Sequence, residues 1–148
     1  MVKMDRTEIR IAGIADAAPI SELANQLGYP TSMGQAESRL DTILSSSDHT
    51  VFAACVDRQV IGWAHVFLAK RIESGPFAEL GGFVVAESHR RRGIGRRLMA
   101  ATEQWAAGHG VTMLRVRSRS ERDDARAFYE NLGFTIIKEQ RVFDRFLK

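Results

Sequence analysis

The stretch Phe83-Val-Val-Ala-Glu-Ser-His-Arg-Arg-Arg-Gly-Ile-Gly-Arg-Arg-Leu98 decides how the rest of this sequence is read. Apolar residues close a strand, a polar turn follows, and a helix then begins. From Ile94 to about Ala107 the spacing of Leu98, Ala101 and Trp105 is that of an amphipathic helix. Gly93 and Gly95 stand where that helix starts. Glycines there leave consecutive backbone N–H groups unshielded, and the helix dipole adds roughly half a positive charge. Arg90, Arg91, Arg92 and Arg96 surround those donors, so the chemistry suits a phosphate or pyrophosphate. Two named phosphate loops are excluded. The nucleoside-triphosphate loop ends in Gly-Lys-Ser/Thr, which this chain lacks, and the dinucleotide fingerprint needs a third glycine where Leu98 stands. What remains is Arg90-x-x-Gly93-x-Gly95.

Working outward, Glu8–Gly13 alternates and is rich in Ile, as a first strand would be. Asp16 is placed to cap a helix carrying Ile20, Leu23, Ala24 and Leu27, which Gly28 stops. Thr31 and Ser32 can cap a second helix through Leu44. Thr50–Val56 and Gln59–Leu68 flank the short turn Asp57–Arg58 as a hairpin, and Phe77–Val85 is the strand that enters the glycine turn. Beyond the central helix come a strand at Thr112–Arg117, a short helix at Asp123–Asn131, and two closing strands at Phe134–Lys138 and Arg141–Phe146. The order β-α-α-β-β-β-α-β-α-β-β predicts a mixed sheet, with hairpins first and helical crossovers later.

The chain has 148 residues, one domain's length, with no internal repeat and no linker to divide it, so a single domain 1–148 is expected. Cys55 is the one cysteine, which excludes a disulfide scaffold and points to a reducing compartment, most simply the cytoplasm. Apolar runs such as Val60–Ala69 fall far short of the roughly 20 residues of a membrane span, and Met1–Arg10 has no signal-peptide pattern. Net charge is only +3, and the arginine clusters lack interleaved stacking aromatics, so nucleic acid is not an expected partner. His49, His89 and His109 show no ligand spacing, and no metal is expected.

Arg-x-x-Gly-x-Gly after an apolar strand resembles the acetyl-CoA pyrophosphate signature of the GNAT superfamily of N-acetyltransferases. Two more pieces lie in the matching order. Phe77-Ala-Glu-Leu80 sits where some members carry a catalytic Glu, and Ala125-Arg-Ala-Phe-Tyr-Glu-Asn-Leu-Gly-Phe134 looks like the family's closing helix-strand motif. The resemblance implies an α/β fold: a central mixed, largely antiparallel seven-stranded sheet, splayed in the middle and flanked by about four helices. It implies transfer of an acetyl group from acetyl-CoA to a primary amine, by direct attack rather than through an acetyl-cysteine. A homodimer is implied by analogy with relatives.

An alkylammonium has a pKa near 10.4, so at pH 7 only about one molecule in 2,500 is nucleophilic, a handicap of about 4.6 kcal/mol. Glu79, among Phe77, Leu80 and Phe83, is the expected base, directly or through a water; partial burial would lift its pKa toward the useful range. Its competing role is an exposed strand position or an arginine's ion-pair partner. Tyr129 is implied as the acid that protonates the departing thiolate. Phe83, Val84 and Val85 would meet pantetheine through their backbone, with Gly81-Gly82 giving either a bulge or close packing against a helix. The pyrophosphate falls to Arg90, Arg91, Arg92, Gly93, Ile94, Gly95 and Arg96, mainly through main-chain N–H groups. Tyr29, Trp63, His65 and Phe67 are candidates for the acceptor side, and Trp63, His65 and Phe67 share one strand face. Pro30 and Phe143 are weaker candidates of the same kind. Many members carry an Asn where this chain has Ser118-Arg-Ser-Glu-Arg-Asp-Asp124, and Ser120 or a water is the substitute to consider. The acceptor's identity stays open among polyamine, aminoglycoside, amino acid and protein amines. A domain that binds acyl-CoA without turnover is the competing reading.

Overall fold

Asp57 and Arg58 both take left-handed backbone angles (φ 48° and 69°), the geometry of a tight two-residue hairpin turn. They join β2 (His49–Val56) to β3 (Gln59–Arg71) in the computed structural model of the chain, which describes residues 6–119 and 123–148. The chain divides into two units, Met1–Val116 and Arg117–Lys148.

The first unit is built on a five-stranded sheet in the order β1-β2-β3-β4-β5, with β1 at Thr7–Ile11, β4 at Gly75–Val85 and β5 at Leu114–Val116. The first four strands are mutually antiparallel, whereas β5 runs parallel to β4. A parallel neighbour requires a crossover, and α3 (Ile94–Gly108) supplies it. The β4–β5 ladder covers only the pairs Ala78–Leu114, Glu79–Arg115 and Leu80–Val116. β4 runs five residues beyond the described ladder, through 81–85. Buried Ile94, Leu98, Met99, Thr102 and Ala106 hold α3 against β1–β4, and Leu98 lies under Gly62 of β3. α1 (Ala17–Gln26) packs on β3 and β4, and α2 (Met33–Leu44) on β2.

Local signals explain the helix ends. Ser32 and Gln35 form a reciprocal capping box at the start of α2, as the sequence suggested. Asp16 precedes α1 but its side chain makes no cap bond to that helix. Its carboxylate instead takes Arg10 in a two-pronged pair at 2.8 and 2.9 Å and accepts the Gly13 N–H at 2.8 Å. The pair ties β1 to the entry of α1.

The second unit contains α4 (Asp123–Asn131). The closing strands expected at Phe134–Lys138 and Arg141–Phe146 are not described as strands within this unit, and the described sheet has five strands where seven were expected. Their apolar residues come in adjacent couples, Ile136-Ile137, Val142-Phe143 and Phe146-Leu147, which point to both faces of an extended chain. Such a strand needs cover on both sides, and within the second unit these six side chains are exposed.

Replacing Asp16 by Asn strands Arg10 and the Gly13 N–H, and is expected to lower unfolding free energy by about 1–3 kcal/mol at pH 7. The Arg10 guanidinium, and then the Gly13 N–H, hold the Asp16 carboxyl below its ordinary value of 3.8. Its contribution is thus present above that pH and fades as pH falls through the lowered native value. Urea titrations should show the wild-type advantage at pH 7 shrinking below pH 3.8.

Candidate active site

Strands β3 and β4 pair with one residue to spare. Phe67 faces Glu79 and Val66 faces Leu80, but His65 faces Gly82, leaving Gly81 as a bulge. Directly opposed residues share a face, so Trp63, His65 and Phe67 lie on the side of Glu79, Gly82 and Val84, away from α3. Both glycines are used for room. A Cβ on Gly81 would fall on the His65 ring, and one on Gly82 would stand 2.6 Å from the tip of the Trp63 ring. Of the two readings of Gly81-Gly82, the bulge is present, and the close packing is against aromatic side chains of β3 rather than a helix.

A second irregularity, between Ala54 and Cys55 of β2, brings His49 opposite Phe67. His49 Nδ1 and His65 Nε2 are 2.9 Å apart, one donating to the other according to tautomer. The rings of His49, His65 and Phe67 lie 5.1–5.5 Å apart in pairs. Burial, and secondarily the charge of His49, pull the His65 imidazole down to about 4, so it is neutral at pH 7. The Trp63 indole N–H is buried without a hydrogen-bond partner among the described residues.

Glu79 is 9% exposed, between Phe67 on β3 and Arg115 on β5. The exposed-position alternative for this carboxylate is therefore excluded. Arg115 stacks its guanidinium over Phe77 at 4.6 Å, with Arg71 on the same ring at 5.7 Å. Sequence spacing had no means of placing Arg115 next to Glu79; the parallel register does so.

Beyond Val85 the chain turns sharply. Arg90 donates from Nε to the Val85 carbonyl at 3.3 Å, and Arg91 adopts φ 65°. Gly93 is the N-cap of α3 at φ 78°, with no side-chain cap, and a Cβ built on it would meet nothing within 4 Å. The turn is thus open on its backbone side rather than plugged. Arg90, Arg91, Arg92 and Arg96 are exposed, while Ile94 is buried beneath the helix start. An open cavity of about 520 Å³ between α3 and β1–β2 is lined by Ile9, Phe52, Arg97 and Trp105 among others, and contains none of the expected site residues.

Tyr29 lies between α1 and α2, half exposed, with its N–H bonded to the Ala24 carbonyl. In the second unit Tyr129 is in the last turns of α4. The helix closes with Gly133 at φ 94°, the Gly133 N–H on Glu130 and the Phe134 N–H on the Tyr129 carbonyl. That closure brings Phe134 edge-on to the Tyr129 ring at 5.7 Å. Burial pushes the phenol above its ordinary value, so it is a protonated donor at neutral pH. Phe143 is 86% exposed. Ser120, the candidate substitute for the missing Asn, lies outside the described residues. Among the described residues no group of three or more His, Cys, Asp or Glu could hold a metal ion, and no helix is long and apolar enough to cross a membrane.

A strand with a buried carboxylate that feeds an open, arginine-flanked helix start is the layout of an acyl-CoA-dependent acyltransferase. Residues 17–134 match the model of the acetyltransferase (GNAT) family. Aminoglycoside N(6')-acetyltransferase type 1 of Stenotrophomonas maltophilia is 33% identical over 131 residues, covering 85% of this chain and 84% of its own. The protein of that name from Serratia marcescens is 34% identical over 108 residues, covering 70% and 73%. A solved structure of an aminoglycoside N-acetyltransferase in complex with CoA superposes with a TM-score of 0.86 at 23% identity, covering 98% of this chain and 97% of the other, a likeness of fold. The chain belongs to the GNAT acetyltransferase family, and it is an N-acetyltransferase.

Two outcomes test the geometry of this face. Gly81→Ala forces the His65 ring aside and should cost about 1–3 kcal/mol of stability, with the loss smaller in a His65→Ala background. Because His65 is held neutral when folded but protonates near 6.5 when unfolded, stability should fall by about 1–3 kcal/mol as pH drops from 6.5 toward 4. His65→Gln should flatten that part of the pH–stability curve.

Proposed function

We propose that this enzyme transfers the acetyl group of acetyl-CoA to a primary amine of an aminoglycoside-type amino sugar. The observation that carries the reading is the surface formed by Trp63, His65, Phe67 and the Glu79 carboxylate on one sheet face. Flat rings suit the apolar faces of sugar rings, and a carboxylate suits their ammonium groups. The names borne by the curated relatives point the same way.

Acetyl-CoA, when bound, supplies an activated thioester carbonyl. Backbone N–H groups of Gly93, Ile94 and Gly95 are offered to its pyrophosphate at a helix start whose glycine N-cap has open space beside it. Arg90, Arg91, Arg92 and Arg96 add charge around them. The backbone of Phe83, Val84 and Val85, beyond the end of the β5 ladder, is the edge for the pantetheine amides. Glu79 removes a proton from the acceptor ammonium, directly or through a water, and so offsets about 4.6 kcal/mol of unfavourable protonation at pH 7. Tyr129 protonates the departing thiolate; its raised pKa keeps that proton in place until needed. The reading includes a single catalytic domain spanning 1–148, a cytoplasmic location consistent with the lone buried Cys55, and a homodimer.

Thiol release is the assay. Aminoglycosides bearing a 6'-amine should exceed polyamines, amino acids and peptides by about 100-fold or more in kcat/KM, and 6'-hydroxyl analogues should be poor. Glu79→Gln should lower kcat about 10²–10⁴-fold at pH 7, and Tyr129→Phe about 10–100-fold with calorimetric binding of acetyl-CoA retained. Acetyl-CoA binding without turnover on any amine would replace this reading with that of a silent acyl-CoA sensor.

A further inference from the structure

Glu79 has cations for neighbours at one end of its sheet face. Along the ladder Phe77 pairs with Ala69 and Gly75 with Arg71, so Arg71 and Phe77 share the face of Glu79. Arg115, opposite Glu79 on β5, shares it too. The Arg71 and Arg115 guanidiniums lie 5.7 and 4.6 Å from the centroid of the same Phe77 ring. Phe77 is almost fully buried, so the ring is a fixed platform that sets where both cations stand. Read along β4, this face therefore runs from the cation pair, through the carboxylate, to the rings of His65 and Trp63.

Two guanidiniums gathered on one ring have a chemical preference. A guanidinium over a ring uses its flat face, which leaves the N–H donors in its plane for an acceptor at the edge. Planar donors of that kind match the oxygens of a phosphate or a carboxylate. Two like charges this close also repel, and an anion between them relieves the repulsion. Glu79 offsets one of the two charges, so these three groups leave one positive charge over. The spacing is that of a small molecule: Glu79 and Phe77 are two residues apart on one strand, about 7 Å. A ligand with an amine at Glu79 and an anion beside the Phe77 ring thus spans about one sugar ring.

We propose that Arg71 and Arg115 form an anion subsite for the acceptor, and that the acceptor is an amino sugar carrying a phosphate or carboxylate across the ring from its reacting amine. The proposal rests on the amino-sugar reading above and narrows it to acidic amino sugars. The ammonium meets Glu79, the apolar face of the sugar meets Phe67 and His65, and the anion meets the two guanidiniums. An acceptor with a second ammonium at that end meets two like charges and binds less well.

Thiol release by the full-length enzyme with acetyl-CoA tests it, using 6-amino-6-deoxyglucose, its 1-phosphate and its carboxymethyl glycoside. At low salt one of the two acidic sugars should exceed the uncharged parent by about tenfold or more in kcat/KM, chiefly through KM. Which of them leads tells whether phosphate or carboxylate is the anion. Arg71→Gln and Arg115→Gln should each lower kcat/KM for the favoured acidic sugar about tenfold more than for the parent, whereas impaired folding lowers both alike. Should a variant lose turnover of the parent as well, the wild type decides: its preference should shrink between about 0.05 and 0.5 M salt, and a constant preference overturns the proposal. Equal kcat/KM for acidic and uncharged sugars, or a preference that both variants keep, also overturns it. Turnover of an aminoglycoside with a 6'-amine then still leaves the amino-sugar reading in place. No turnover of any amine removes that reading and the proposal together.

Discussion

One surplus residue governs the arrangement of this face. Between His65–Gly82 and Val66–Leu80 the β3–β4 ladder skips Gly81, and a skip of one residue exchanges the faces of everything beyond it. Before the bulge Glu79 shares a face with Phe67; after it, Val84 shares that face with Trp63, while Phe83 and Val85 turn toward the side where Leu98 of α3 packs. In a regular ladder Gly81, Phe83 and Val85 would all line up with Glu79. The bulge thus separates the carboxylate's surroundings from the apolar support of the glycine turn. Its occupant has to be a glycine, since the His65 ring takes the place of any side chain there.

The same constraint explains what the sequence could and could not reveal. The turn from Arg90 to Gly95 was legible because its parts are consecutive, and consecutive residues keep their spacing whatever the rest of the chain does. The order of the strands and helices through α4 followed from periodicity, and the Asp57–Arg58 hairpin from its length. His49 was not legible. Counting back from that hairpin without interruption pairs His49 with Val66, on the wrong face, whereas the irregularity at Ala54/Cys55 moves it opposite Phe67 and into contact with His65. Arg115 was hidden for a related reason: a parallel register between strands joined through a helix leaves no count to follow. The closing strands were read from apolar content alone, which cannot say whether a partner strand is present.

Energetically the face is an expensive arrangement that the surrounding sheet sustains. A neutral half-buried imidazole, an indole N–H without a partner among the described residues and a buried carboxylate each cost stability. The opposite side carries close-packed Ala64, Val66, Leu98 and Ile94, all almost fully buried. Polar groups that weaken folding and persist on one face, above an apolar layer that holds the other, are the usual mark of a surface kept for chemistry.

The Phe77 ring shows how that cost is kept local. Arg71 and Arg115 both lie over this ring, so Arg115, which faces Glu79, is oriented by an apolar side chain rather than left to swing through solvent. Phe77 is itself 1% exposed, which fixes the ring and with it the approach of Arg115. β5 contributes only three residues, and the middle one is the arginine that faces the carboxylate. The short β5 holds Arg115 beside Glu79, and its described ladder stops at Leu80–Val116, before residues 81–85.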